Sequence, residues 1–205
     1  MNFIFIILTF LISAVIARIL IPRILLISLR KKLFDIPDDR KIHKRAIPRL
    51  GGVSFFPTTL FAFCLVYAFR LLDGNSISTL YASYLLPELL LFACGMTLLY
   101  LTGIADDLVG VRYRQKFAIQ IFCACLFPLS GLWINDLYGL FGIHELSAYV
   151  GIPFTVLTVV FITNAINLID GIDGLASGLS SVALLVFTFL FISKGLWSYA
   201  MLSAG

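Results

Sequence analysis

Residues 151–175 read GIPFTVLTVVFITNAINLIDGIDGL, an apolar run that closes on two amides and two carboxylates, Asn164, Asn167, Asp170 and Asp173. The stretch up to Ile169 approaches the ~20 apolar residues that a helix needs to cross a bilayer. A carboxylate left unpaired at mid-bilayer costs about 2.5–3.5 kcal/mol even on lenient insertion scales. The polar groups therefore belong at a membrane surface, where they have a use. Asn164, Asn167 and Asp170 recur at every third position, so a helix keeps them within one face. Gly171 and Gly174 predict the end of that helix and allow backbone to come close to a ligand. Such a site suits something rich in hydrogen-bonding groups, or a hydrated cation.

Outward from this stretch, the composition is that of a membrane protein. The chain is 60% hydrophobic and 13% charged, with a mean hydropathy of +1.03; its charged share is about half that of soluble domains. Apolar windows predict spans at 3–27, 52–72, 84–104, 118–134, 151–169 and 176–193, with a seventh starting at Leu196. Lipid offers no hydrogen bonds to a backbone, and these runs are too long and uniform for barrel strands. The expected fold class is all-α: a polytopic transmembrane helical bundle of about six complete spans plus the start of a seventh. Residues 1–205 read as a single integral membrane domain with no soluble domain attached.

The first span lacks a basic segment before its apolar core and a small-residue cleavage site, and it carries Arg18 and Arg23 after the core. It reads as a retained anchor rather than a signal peptide. Cys64, Cys94, Cys123 and Cys125 all fall inside spans, and Cys123-x-Cys125 is not a zinc spacing, so all four read as packing residues.

Orientation follows from the basic residues. Eight of the fifteen lie between Arg30 and Arg49, and Arg112, Arg114 and Lys116 follow the third span, whereas the opposite loops hold Arg70 and Lys194. The positive-inside rule predicts residues 28–51, 105–117 and 170–176 in the cytoplasm, with 73–83, 135–150 and 194–195 and the N-terminus outside. All the polar clusters then meet at one face.

The second cluster is Gly103-Ile-Ala-Asp106-Asp107-Leu-Val-Gly110. Alone, such a pair could be a solvated turn. Neighbouring carboxylates repel, however, and a divalent metal between them relieves the repulsion. Mg²⁺ favours one or two carboxylates together with phosphates and waters. With Asp170 and Asp173 expected at the same face, a metal site is the better reading. The third cluster, in the loop DIPDDRKIHKRAIPRLGG over residues 35–52, sets His43, Lys44 and Arg45 ahead of Pro48 at the mouth of the next span. A topological determinant touching anionic head groups would account for the charge. Basic groups beside an acidic metal site point further, to phosphate binding. His144 falls in an outward loop and is given no role.

Together the motifs DIPDDRKIHKRAIPRLGG, ADDLVG and NAINLIDGIDGL resemble those of the polyprenyl-phosphate N-acetylhexosamine-1-phosphate transferases, glycosyltransferase family 4, over roughly residues 30–180. The spacing around His43 resembles the N-acetylglucosamine branch more closely than the phospho-N-acetylmuramoyl-pentapeptide translocase, which remains the alternative. The resemblance implies transfer of N-acetylhexosamine 1-phosphate, with N-acetylglucosamine as the first choice. The donor is a UDP-sugar, the acceptor undecaprenyl phosphate, and UMP is released at the cytoplasmic face of the inner membrane. It implies Mg²⁺, with Mn²⁺ as substitute, and Asp106 and Asp107 as the catalytic acidic pair. Asp106, Asp107 and Asp170 would be metal ligands. Lys44, His43, Arg45, Asn164, Asn167 and Asp173 would contact substrate. The implied partners are the UDP-sugar, the polyprenyl phosphate and the bilayer; a homodimer is compatible and nucleic acid is not expected.

Two rivals are weaker. The CDP-alcohol phosphotransferases need an Arg shortly after Asp-Gly-x-x-Ala, whereas Ser177 follows Ala176 here. An ion-coupled transporter would hold its carboxylates near the midplane between broken helices. The family carries further helices with Asp and His motifs beyond those found here, so the expected reading is an N-terminal portion of a longer transferase.

Overall fold

The computed structural model describes residues 2–31, 33–35, 47–48, 51–72, 76–170 and 174–205. Among these are seven α-helices: α1 Asn2–Arg30, α2 Phe55–Leu72, α3 Ser76–Val109, α4 Tyr113–Leu129, α5 Ala148–Ile169, α6 Leu175–Ser193 and α7 Trp197–Ala204. Within the loop that follows α1, β1 (Phe34–Asp35) pairs antiparallel with β2 (Ile47–Pro48), an addition to the all-α expectation. Pro48 has no N–H to donate, which suits a short edge pairing of this kind.

The helices keep their polar groups to themselves, as an apolar surrounding requires. Hydroxyls of Thr9, Thr97, Thr102, Thr158 and Thr163 donate back to carbonyls one turn earlier. Among the described residues five stretches are long and apolar enough to cross a membrane: Asn2–Arg30, Gly52–Leu72, Leu85–Val109, Ala148–Ile169 and Leu175–Ser193. The span expected at 118–134 is instead the 17-residue α4, displaced toward its N-terminus. It stops early because Gly131 takes a left-handed φ of 92°. Leu132 N–H then donates to Phe127 O and Gly131 N–H to Pro128 O, the paired bonds that close a helix C-terminus. Conversely, α3 starts at Ser76, inside the region expected as an outward loop.

Contacts divide the chain into two compact units, one of Met1–Thr79 with Ile169–Gly205, the other Leu80–Leu168. In the first, α1 packs on α2 and α7, and α7 on α6. Its centre is made of small or slender residues, Thr9, Ala62, Val66, Ala200 and Met201, all fully buried, which allow helices to approach closely without a hydrophobic drive from lipid. Arg70 Nη1 donates to Ser198 Oγ at 3.1 Å, and Phe3 meets Trp197 edge to face at 5.2 Å.

The second unit holds most of α3 and α5 and all of α4. Cys123 and Ala124 are buried, and Gly95 lies so close to Leu126 that a Cβ there would stand 3.4 Å from it. Beyond α4 the chain runs along the start of α5, with Ile134 N–H donating to Thr155 Oγ1 at 2.8 Å. Gly151 is the point of closest approach: an added Cβ would lie 2.5 Å from both Ile134 O and Trp133 Cζ3.

Candidate active site

Asp106 and Asp107 were expected in a loop of residues 105–117, but they form the last turn of α3. The helix continues through them because the link to α4 is short, only Gly110, Val111 and Arg112. Gly110 turns the chain at φ 74°, its N–H donating to Asp106 O at 2.9 Å. The Asp106 side chain completes the turn: Oδ1 accepts from Val111 N–H and Oδ2 from Lys116 Nζ, each at 2.9 Å. Asp106 is thus held by the turn it faces and by the first turns of α4. Asp107 is exposed beside it. Successive helical residues project about 100° apart, so the two carboxylates present different directions from one helix end.

One helical turn beyond Lys116 on the same face of α4, Gln120 is buried, 5% exposed. Its Oε1 accepts from Asn164 Nδ2 at 2.7 Å, and its Nε2 donates to Asn164 Oδ1 at 3.4 Å. Asn164 also donates to Val160 O at 2.8 Å within α5. One face of α4 therefore holds the acidic end of α3 through Lys116 and the amide-bearing face of α5 through Gln120. In the sequence Lys116 reads only as topological charge, and the motifs leave Gln120 unmarked. Its signal in the sequence is an amide set within the apolar run of α4, beyond the polar first turn that holds Gln115.

Asn167 is exposed and lies one turn nearer the end of α5. The helix ends at Ile169, as the glycines predicted, and Asp170 stands in the following turn, exposed. Asp170 belongs to the first unit, the acidic pair and Asn164 to the second. His43, Lys44, Arg45, Gly171 and Asp173 lie outside the described residues. Among the described residues no three His, Cys, Asp or Glu side chains gather as a metal cage. The donor chemistry nonetheless fits Mg²⁺, which is content with one or two carboxylates when phosphates and waters supply the rest. Beside the acidic pair, an open groove of about 490 Å³ is lined by Leu101, Thr102, Ala105, Val111, Ala118 and Ile119 among others.

Comparison with known proteins adds the family. Residues 89–205 match the description Glycosyl transferase family 4. A probable undecaprenyl-phosphate N-acetylglucosaminyl 1-phosphate transferase of Bacillus subtilis (strain 168) is 30% identical over 191 residues, 93% of this chain and 49% of that protein. The undecaprenyl-phosphate alpha-N-acetylglucosaminyl 1-phosphate transferase of Escherichia coli (strain K12) is 29% identical over 84% of this chain and 44% of its own length. A phospho-N-acetylmuramoyl-pentapeptide-transferase of Staphylococcus carnosus (strain TM300) is 29% identical over 95% of this chain and 61% of its own. The chain spans about half the length of the curated relatives it matches.

Proposed function

The chain belongs to glycosyl transferase family 4, and from that premise we propose that the whole protein transfers N-acetylglucosamine 1-phosphate from its UDP-sugar to undecaprenyl phosphate at the cytoplasmic membrane face. The observation that carries this reading is the likeness, over 93% of the chain, to a probable transferase of that kind. In the reaction an oxygen of the lipid phosphate attacks the β-phosphorus of the UDP-sugar, a new P–O bond forms, and the bond to UMP breaks. Two anions must approach each other, so positioning and charge neutralisation supply most of the catalysis.

Asp106 and Asp107 would hold Mg²⁺, which when bound neutralises phosphate charge and steadies the leaving UMP. Asp107, exposed beside the clamped Asp106, orients the lipid phosphate or accepts its proton. Leu101, Ala105, Ala118 and Ile119, along the groove beside this helix end, suit the isoprenoid chain of that phosphate. Asn167 near the end of α5, and Asp170 and Asp173 after it, bind the nucleotide sugar or its metal, and Asn164 supports Asn167 from within α5. His43, Lys44 and Arg45 contact phosphate. Residues 28–51 lie inside and the N-terminus outside.

A second reading, transfer of phospho-N-acetylmuramoyl-pentapeptide, is favoured by the 29% identity with the Staphylococcus carnosus enzyme. Membranes carrying the whole protein, undecaprenyl phosphate and Mg²⁺ are given UDP-N-acetylglucosamine labelled in the sugar and in the β-phosphate. Both labels should pass together into the lipid phase. Label passing only from UDP-N-acetylmuramoyl-pentapeptide selects the second reading, and none from either donor refutes both.

A further inference from the structure

Gln120 has no evident reason to be where it is if α4 serves only to fill space. An amide sequestered from water costs free energy unless bonded, and two facing apolar side chains would pack there without that risk. The bond it makes is specific. Both hydrogens of the Asn164 amide are used inside the protein, one by Gln120 Oε1 at 2.7 Å and one by Val160 O at 2.8 Å. Asn164 is therefore held at one rotamer by its own helix and by α4 at once. Asn167, one turn onward on the same face of α5, inherits that orientation. On α4 the residue one turn before Gln120 is Lys116, whose Nζ stands 2.9 Å from Asp106 Oδ2.

We propose that Gln120 is a positioning residue: by pairing with Asn164 it fixes the rotation and axial register of α5 against α4, and so sets the polar end of α5 relative to the acidic pair that Lys116 ties to the same face of α4. The inference rests on the transferase reading for its consequence in turnover. It assigns Gln120 no contact with substrate. Its part is to remove a sliding and twisting freedom that would otherwise be settled anew in each catalytic event.

The test uses Gln120→Leu, Gln120→Asn and the swap Gln120→Asn with Asn164→Gln, which moves one methylene from α4 to α5 and restores the reach of the pair. In the whole protein, kcat per folded molecule should fall about threefold to tenfold in both single variants, the range of an interhelical hydrogen bond in a membrane protein. KM for the lipid phosphate should stay as in the parent; the swap, which also alters Asn164, is judged on geometry alone. A second readout needs no activity. Spin labels at Tyr113, at the start of α4, and Leu168, near the end of α5, both exposed, should give one narrow distance in the parent, a broadened one in the single variants and a narrow one in the swap. Unchanged distances and turnover in Gln120→Leu overturn the proposal, as does a swap whose distance stays as broad as that of Gln120→Asn alone. Distances that respond as described in a parent that transfers no sugar phosphate overturn the transferase reading instead.

Discussion

Replacing Asp106 with Asn separates what this carboxylate does for the fold from what it does for the reaction. The Asn side chain keeps an oxygen for Val111 N–H but loses the charge that faces Lys116 Nζ at 2.9 Å. Both side chains of the ion pair are partly open, 25% exposed for Lys116 and 31% for Asp106. Pairs that water reaches contribute about 0.2–1 kcal/mol. The expected loss of stability is therefore about 1 kcal/mol or less, a fall in Tm of about 2–4 °C for a chain of this size. Loss of a positioned electrostatic group in a phosphate-transfer site costs far more, of order 10²-fold in rate. Lys116→Met is the matched control, since it removes the same ion pair and leaves the carboxylate charge in place. Both variants should melt within a few degrees of the parent, and Asp106→Asn should lose much more sugar phosphate transfer than Lys116→Met across a Mg²⁺ titration. Near-normal transfer by Asp106→Asn, or equal losses in the two variants, would falsify the catalytic role and leave Asp106 as the lock of the α3–α4 turn.

Gly151→Ala should lower Tm by at least about 2 °C, because overpacking of this kind costs about 1–3 kcal/mol and its Cβ would stand 2.5 Å from Ile134 O. Gly178→Ala, where a Cβ meets nothing within 4 Å, should be neutral or stabilising; a reversed order of the two melting points contradicts the packing described around Trp133. Cysteines introduced at Glu145 and at Arg114 should label differently in intact cells, the first reacting with an impermeant reagent and the second reacting only after permeabilisation. The opposite pattern inverts the topology. Asp170→Asn should weaken UDP-sugar binding and turnover while undecaprenyl-phosphate affinity stays nearly unchanged in separate titrations, and a selective loss of lipid affinity would assign this turn to the other substrate.

Sequence reading located the long helices well, for a reason external to the protein: bilayer thickness fixes the length of an apolar helix. The expected 52–72 and 151–169 end where α2 and α5 end, at Leu72 and Ile169. It failed where apolarity and helicity part. Residues 130–134 are mostly apolar, so hydropathy carried the fourth span through them, whereas Gly131 and the paired carbonyl bonds end α4 at Leu129. The site was half legible for a similar reason. Two adjacent carboxylates, or amides at helical spacing, are visible in one dimension. Their partners are not. Asp106 and Lys116 are ten positions apart, and Gln120 and Asn164 forty-four, so neither pairing can be read without knowing that α3 and α4 meet in a short link and that α5 meets α4 at Asn164.

The placement of the acidic pair is itself an argument for function. A helix C-terminus carries partial negative charge, so carboxylates in the last turn are disfavoured and cations favoured. The last turn of α3 has two carboxylates and no basic residue. The surrounding sequence offsets this: Asp106 takes up the Val111 N–H, and Lys116 brings a cation from the next helix. These compensations would be unnecessary had the turn carried asparagine or lysine there, either of which sits at a helix C-terminus without repulsion. A local rule broken and then repaired by neighbours is the pattern expected where a site needs the offending charge. The same logic extends along α4, where Lys116 and Gln120 hold polar partners on two different helices. A helix that only spanned lipid would need neither. Charge kept at an unfavourable helix end and amides kept in an apolar interface both give up stability for geometry, and phosphate transfer between two anions is chemistry in which geometry and charge do most of the catalysis.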